Sequence, residues 1–162
     1  MISYFTRHKS QVSKIIAIYQ ILGGLIGLGF SLEGYFHLGA PLFLEICFYL
    51  ISSLLYSYSV LCGLLIFKNV NLSLKCSLIN QYLQLLSFAF AGYAYKYTAG
   101  IYVSIGLDTT LLKPLFNYGF SAWYFIWNTN NQLTYIDFNL FAFFIIFLLD
   151  KLMSKAATSQ DN

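Results

Sequence analysis

Long apolar runs dominate this sequence and constrain its fold more than any other feature. They occupy residues 15–32, 42–67, 76–95 and 138–153. A helix needs about 20 residues, at ~1.5 Å each, to cross the hydrocarbon of a bilayer. The fourth run is shorter than that, and we expect it to recruit residues before Phe138 or to cross a thinned region. The runs therefore predict four transmembrane helices.

The composition agrees with a bilayer as the solvent. Only 9% of the 162 residues are charged, while 59% are hydrophobic and 20% aromatic. A soluble domain carries charge on roughly a quarter of its residues. The net charge of +3 is too small to indicate nucleic acid as a partner. We expect the lipid bilayer to be a partner, and nucleic acid not to be one.

The distribution of lysine and arginine predicts an orientation. Four spans place segments 1–14, 68–75 and 151–162 on one side, and these hold seven of the nine basic residues. Cytoplasmic loops carry the excess of such residues. We therefore predict a multi-pass protein of the cell (inner) membrane with both termini in the cytoplasm. The alternative of a cleaved signal peptide is disfavoured because Leu38 stands where a small residue is needed before Pro41.

The segment between the third and fourth runs has the pattern of strands. Residues 100–108 alternate between apolar and polar, the period of a half-buried strand. Residues 118–127 and 133–138 flank the Asn-rich loop 128–132, as in a hairpin. Asp108 precedes a short helical turn that it could cap. We expect about three strands in a small antiparallel sheet.

The predicted fold class is thus an all-α membrane protein, in which a four-helix transmembrane bundle carries a small extracytoplasmic β-sheet between its third and fourth helices. Its expected segments are a basic cytoplasmic N-terminus (1–14), transmembrane helices 1–3 (15–95), an extracytoplasmic aromatic β cap (96–137), transmembrane helix 4 (138–153) and a cytoplasmic tail (154–162).

Aromatic residues are concentrated in the predicted cap. Trp123, Tyr124 and Trp127 are expected at the membrane interface, where a ring with a polar edge finds both of its preferred environments. The alternative is an aromatic platform for a ligand or a sugar.

Polar residues recur at helical spacing inside the second and third runs. Ser52, Asn80, Gln81 and Gln84 are expected to form hydrogen bonds between helices, since an amide in hydrocarbon must find a partner. The alternative is that they line a pathway for water, ions or a small solute. In the first run, the small-xxx-small pattern that begins at Gly23 predicts a close approach between helices.

Three ionisable residues near the predicted outer surface form a candidate functional cluster. Glu33 and His37 are four positions apart, on one helical face, and Glu45 begins the second helix. Such a group could relay a proton or hold a metal. The alternative places Glu45 among lipid headgroups, with no role beyond favouring the helix start.

Motifs of known chemistry are missing from the sequence. There is no P-loop, G-x-G-x-x-G, H-E-x-x-H or C-x-x-C, and we predict no catalytic, cofactor-binding or metal residues. The expected function is that of a non-catalytic subunit or partner-binding component of a membrane complex, with a protein partner or a second copy. The alternative is a small oligomeric channel or carrier lined by helices 2 and 3.

Overall fold

The computed structural model describes residues 2–37, 43–68, 72–127 and 134–157, and of residues 2–10 and 155–157 it describes the backbone alone. The elements in chain order are α1 (Ile2–Phe36), α2 (Phe43–Phe67), α3 (Ser73–Leu85), β1 (Leu86–Phe90), β2 (Tyr93–Asp108), β3 (Lys113–Ile126), β4 (Tyr135–Asn139) and α4 (Leu140–Ala157).

The predicted four-helix transmembrane bundle is wrong. Within the described residues, two helical segments are long and apolar enough to cross a membrane, Gln11–Phe36 and Phe43–Phe67. Helix α3 has only 13 residues. Helix α4 carries Asp150, Lys151 and Lys155 within its 18 residues. Charged side chains are costly in hydrocarbon, so α4 lacks the uninterrupted apolar stretch of a span.

The third apolar run changes from helix to strand halfway along. At Leu86 the backbone is extended, with φ −114° and ψ 131°. The turn after β1 contains Ala91 and Gly92, whose φ values of 50° and 83° are both positive. Two consecutive positive φ values are typical of the tightest β-hairpin turns. The run at 76–95 is therefore part helix and part hairpin.

The sheet has four antiparallel strands and is larger than the three-stranded cap expected. Its order is β1-β4-β2-β3, and β1 also pairs with β2. Each of the strands β1, β4 and β2 therefore pairs with the other two, while β3 pairs with β2 and lies at the edge of the sheet. The strands expected at 100–108 and 118–127 fall in β2 and β3, and the expected loop 128–132 lies outside the described residues.

One face of this sheet, the outer face, is apolar and exposed. The opposite, inner face carries small and polar side chains, the reverse of a water-soluble sheet. Cross-strand pairs keep the two sets apart: Ile105 pairs with Phe116 and Phe138, whereas Ser104 pairs with Asn117. The exposed apolar side chains are Leu86, Phe88, Ile101, Ile105, Leu107, Phe116, Tyr118, Phe120, Ile136 and Phe138.

Helices α1 and α2 form an antiparallel hairpin that packs through glycines. A Cβ added at Gly27 would lie 2.0 Å from the Tyr56 ring, and one at Gly63 would lie 2.6 Å from the Ala17 carbonyl oxygen. Gly23 faces the sheet instead, where its added Cβ would lie 2.4 Å from the Gly100 nitrogen. The glycines of the small-xxx-small pattern therefore serve two interfaces.

The main apolar core lies near the N-terminal half of α1. There, α1 and the end of α2 meet the C-terminal half of α4. Its buried members are Ile16, Ala17, Ile66, Ile145, Leu149 and Leu152.

Candidate functional site

An irregular joint fastens the sheet to α1 and sets the geometry of the candidate site. The pairing of β2 with β3 shifts between Thr98 and Ile101, which is a β-bulge. Across from it, Ser121 has φ 35°, a conformation rarely taken by a residue with a side chain. Its hydroxyl donates to the Gly23 carbonyl oxygen (3.0 Å) and accepts from the Gly100 N–H (2.9 Å). These bonds hold the strained turn against α1.

Beyond the joint, β3 carries a ladder of aromatic rings. Trp123 stacks with Phe125 at 6.0 Å and 10°, and Phe125 stacks with Trp127 at 6.3 Å and 11°. Phe125 also meets Phe48 of α2, with centroids 4.7 Å apart. Alternate residues of a strand lie on one face, which explains the spacing of two. Packing between strand and helix thus fixes the orientation of the Phe125 ring.

A cleft of about 370 Å³ lies between this ladder and the α1–α2 hairpin. It includes the predicted site residues Glu45, Trp123 and Tyr124, which only the tertiary structure brings together. Trp127 is 57% exposed and does not line the cleft. The lining residues are Phe30, Ser31, Gly34, Glu45, Phe48, Tyr49, Tyr56, Ser121, Trp123, Tyr124 and Phe125.

The other two members of the predicted ionisable cluster lie outside the cleft lining. Glu33 and His37 are exposed, and the His37 Nδ1 lies 2.8 Å from the Glu33 carbonyl oxygen of the same helix. Within the described ranges, no three His, Cys, Asp or Glu side chains come close enough to hold a metal ion. Of the predicted cluster, Glu45 is the member that lines the cleft.

Asn80, one of the polar residues predicted inside the helices, belongs to a buried hydrogen-bond network. Asn80 donates through Nδ2 to the Ser59 hydroxyl (3.1 Å) and accepts at Oδ1 from the Tyr97 hydroxyl (3.2 Å). The Tyr97 O–H shares its one proton with the Leu55 carbonyl oxygen, the nearer acceptor at 2.8 Å. Burial raises the pKa of Tyr97 well above its ordinary value, so the phenol keeps its proton. This part of the network ties α2 to α3 and β2.

A second part of the network joins α1 to α2 and α3. Gln20 accepts at Oε1 from the Ser77 hydroxyl (3.1 Å), and its carbonyl oxygen accepts from the Ser59 hydroxyl (3.1 Å). Ser52 forms a hydrogen bond with Ser31 across the hairpin. Gln84 accepts at Oε1 from the Ala99 N–H at 2.8 Å.

Some buried amide groups in and beside this network have no partner among the described residues. Both Gln81 Oε1 and Nε2 are buried without a hydrogen bond, as are Gln20 Nε2 and Gln84 Nε2. A buried amide without a partner costs about 1–3 kcal/mol. These atoms are the part of the network at which a water molecule or a polar solute would gain hydrogen bonds.

The structure also reveals a buried carboxylate that the sequence reasoning missed. Asp137 is 1% exposed, on the inner face of the sheet, and its Oδ2 accepts from the Ser104 hydroxyl at 2.7 Å. Gly106 leaves room beside it, since an added Cβ would lie 2.9 Å from Asp137 Oδ1. Asn139 accepts from the Phe141 N–H (3.1 Å) and caps α4. The alternation of Ile136 and Phe138 with these polar residues was the available signal.

No protein-family model, curated protein or solved structure matches this chain.

Proposed function

We propose that this chain is a non-catalytic subunit of a membrane complex, and that it binds a protein partner through the edge of its sheet. The observation that carries the proposal is the long edge strand β3, whose exposed side chains from Pro114 to Phe120 are apolar. Phe116 and Tyr118 are 67% and 78% exposed on it. Exposed apolar patches of this kind mark interaction surfaces.

The membrane placement rests on the α1–α2 hairpin. Its two helices are long and apolar enough to cross a bilayer. Lys14 and Lys68 lie at its open end, while Glu33 and Glu45 lie at its connected end. Because basic residues favour the cytoplasmic side, we propose that the open end faces the cytoplasm of a cell (inner) membrane. The chain would then enter and leave the hairpin on its cytoplasmic side.

Lipid alone is a poor cover for the edge of β3. Within the described residues its strand partner is β2, so the opposite edge of a 14-residue strand carries backbone groups outside the ladder. Hydrocarbon offers no hydrogen bonds, and an unpaired backbone group in it costs several kcal/mol. A strand from a second protein chain satisfies those groups and covers the apolar side chains together.

Site-specific photocrosslinking in native membranes tests this proposal. A benzophenone amino acid at Tyr118 is expected to yield a defined protein adduct, either a dimer of this chain or a complex with another membrane protein. The same probe at Leu22 of α1, which is 52% exposed, is the control and is expected to label lipid. Tyr118→Lys with the probe at Phe116 should abolish the adduct, because a charge on this edge opposes strand pairing. Lipid adducts alone at β3 would contradict the proposal.

A small-solute carrier or channel is the second candidate, and the buried amide of Gln81 favours it. A buried polar side chain with no hydrogen-bond partner among the described residues is available to a passing solute. Flux of water or small polar solutes into liposomes that contain the chain tests this function. Gln81→Leu should then abolish flux, whereas unchanged flux or no flux in the wild type argues against it.

A further inference from the structure

We propose that the cleft between the α1–α2 hairpin and β3 binds an organic ammonium group. This inference stands apart from the partner-binding function, because it rests on the chemistry of the cleft and not on the edge of the sheet. Seven of the eleven lining residues are aromatic, and Glu45 is the one charged side chain among them.

The aromatic walls and the carboxylate select the same ligand charge. An aromatic ring presents a negative face, which attracts an alkylated ammonium group while its methyl groups make apolar contacts. Glu45 places its carboxyl group on one side of the cleft. An anion would meet repulsion from both features, and a neutral apolar ligand would gain nothing from the carboxylate.

The serine hydroxyl groups of the cleft argue against a sugar as the ligand. A sugar needs several polar side chains directed at its own hydroxyls. The Ser121 hydroxyl is engaged by Gly23 and Gly100, and Ser31 bonds with Ser52 and with Ser53 at 3.1 Å. A quaternary ammonium group makes no such demand, since it has no hydrogen to donate.

The walls are held in place before a ligand arrives. Phe125 is packed between Phe48 and Trp123, and Trp123 also packs against Tyr97 in a T-shaped pair with ring centroids 6.4 Å apart. A preformed site loses less side-chain entropy on binding. Packing of Tyr49 against Gly34 has the same effect on the helical wall, because a Cβ there would lie 2.7 Å from the Tyr49 ring.

The position of the cleft suggests two sources for such a group. Glu45 lies in the first turn of α2, at the connected end of the hairpin. On the membrane placement proposed above, this end lies at the level of the lipid headgroups. The ammonium group could therefore belong to a phosphatidylcholine headgroup or to a free soluble amine.

Calorimetric titration of the purified full chain in an uncharged maltoside detergent tests the charge requirement. Choline is compared with 3,3-dimethylbutan-1-ol, a neutral molecule of the same shape. We expect choline to bind at least about tenfold more tightly, the factor that corresponds to a desolvated cation–π contact. Equal binding of the two molecules, or no binding of choline, would overturn the proposal, unless the chain selectively retains phosphatidylcholine in the second experiment.

The lipid arm uses native mass spectrometry of the chain with phosphatidylcholine and phosphatidylglycerol supplied together. Selective retention of phosphatidylcholine, with or without choline binding, identifies the headgroup as the source. Choline binding without lipid selectivity identifies a soluble amine. Failure in both arms removes the proposal, and it leaves the crosslinking result at β3 unaffected.

Variants locate the binding within the cleft. Glu45→Gln should weaken choline or phosphatidylcholine binding by about tenfold, whereas Glu33→Gln, a neighbouring carboxylate outside the cleft lining, should leave it unchanged. Trp123→Leu should also weaken binding. If Trp123→Leu does not fold, Glu45→Gln and the choline comparison on the wild type still decide the matter. Equal effects of Glu45→Gln and Glu33→Gln would contradict the assignment.

Discussion

The hydroxyl of Ser121 donates a hydrogen bond of 3.0 Å to the carbonyl oxygen of Gly23, a residue 98 positions earlier in the chain. The hydroxyl oxygen of Ser121 also accepts from the backbone N–H of Gly100 at 2.9 Å. One side chain therefore joins α1 to both long strands of the sheet. The cleft beside it depends on this joint, because Ser121 immediately precedes the segment that carries the aromatic ladder.

Removal of this hydroxyl should weaken the whole fold. Ser121→Ala leaves the buried Gly100 N–H without a partner, and we expect a loss of about 1–3 kcal/mol in the free energy of unfolding. Denaturant unfolding in detergent, followed by circular dichroism, measures the change. Ser154→Ala is the control, since that exposed hydroxyl bonds locally to Lys151, and it should have little effect. Equal stability of the two variants would show that the joint contributes nothing.

Two glycines of α1 should respond in opposite ways to the same substitution. Gly23→Ala places a Cβ 2.4 Å from the backbone nitrogen of Gly100, and such overpacking costs about 1–3 kcal/mol. Gly29→Ala adds a Cβ with nothing within 4 Å, and it should be neutral or stabilising by up to about 1 kcal/mol through helix propensity. Thermal unfolding of the two variants side by side checks the difference. A stable Gly23→Ala would refute the close approach of helix and sheet.

Replacing Asn80 or Gln81 by leucine should change stability differently, because Asn80 forms hydrogen bonds and Gln81 has no partner among the described residues. Asn80→Leu removes one hydrogen-bond partner of Ser59 and one of Tyr97, so we expect a loss of about 1–3 kcal/mol in stability. Gln81→Leu removes an amide without a partner among the described residues, and it should be neutral or stabilising. Unfolding free energies measure both changes. Destabilisation by Gln81→Leu would mean that a water molecule or solute is bound there in the folded protein.

The proposed orientation of the hairpin can be read by cysteine labelling. With Cys47, Cys62 and Cys76 replaced by Ser, single cysteines are introduced by His37→Cys and Lys68→Cys. In intact cells, a membrane-impermeant maleimide should label the first and not the second, because the positive-inside rule places Lys68 in the cytoplasm. Both should react after permeabilisation. Labelling of Lys68→Cys in intact cells would reverse the orientation.

The sequence pattern located several elements correctly in outline. Alternation at residues 100–108 predicted a strand, and Asp108 was expected to cap the turn after it. The structure shows its Oδ1 accepting from the Thr110 N–H (2.8 Å) and the Leu111 N–H (2.9 Å). Such features depend on neighbours in the chain, whose geometry is set by local backbone conformation.

The prediction of a spanning helix in the third run is wrong because the hydropathy of a residue does not depend on its backbone conformation. Leu86, Phe88 and Phe90 are as apolar in a strand as they would be in a spanning helix. The choice of strand follows from pairing: Phe88 pairs with Tyr95 and with Ile136. Ile136 lies 48 residues after Phe88 in the chain, so the sequence around Phe88 does not predict this pairing.

The sequence by itself determined that this chain is rich in apolar residues and that its runs at 15–32 and 42–67 suit a bilayer, because side-chain transfer energies are properties of single residues; it also predicted two further spans, which the structure does not support. Only the tertiary structure decided which segments became strands, which glycines faced the sheet, and that Glu45 would lie with Trp123 around one cleft. Those outcomes depend on hydrogen bonds and packing between residues distant in the chain, and such energies exist only once the chain has folded.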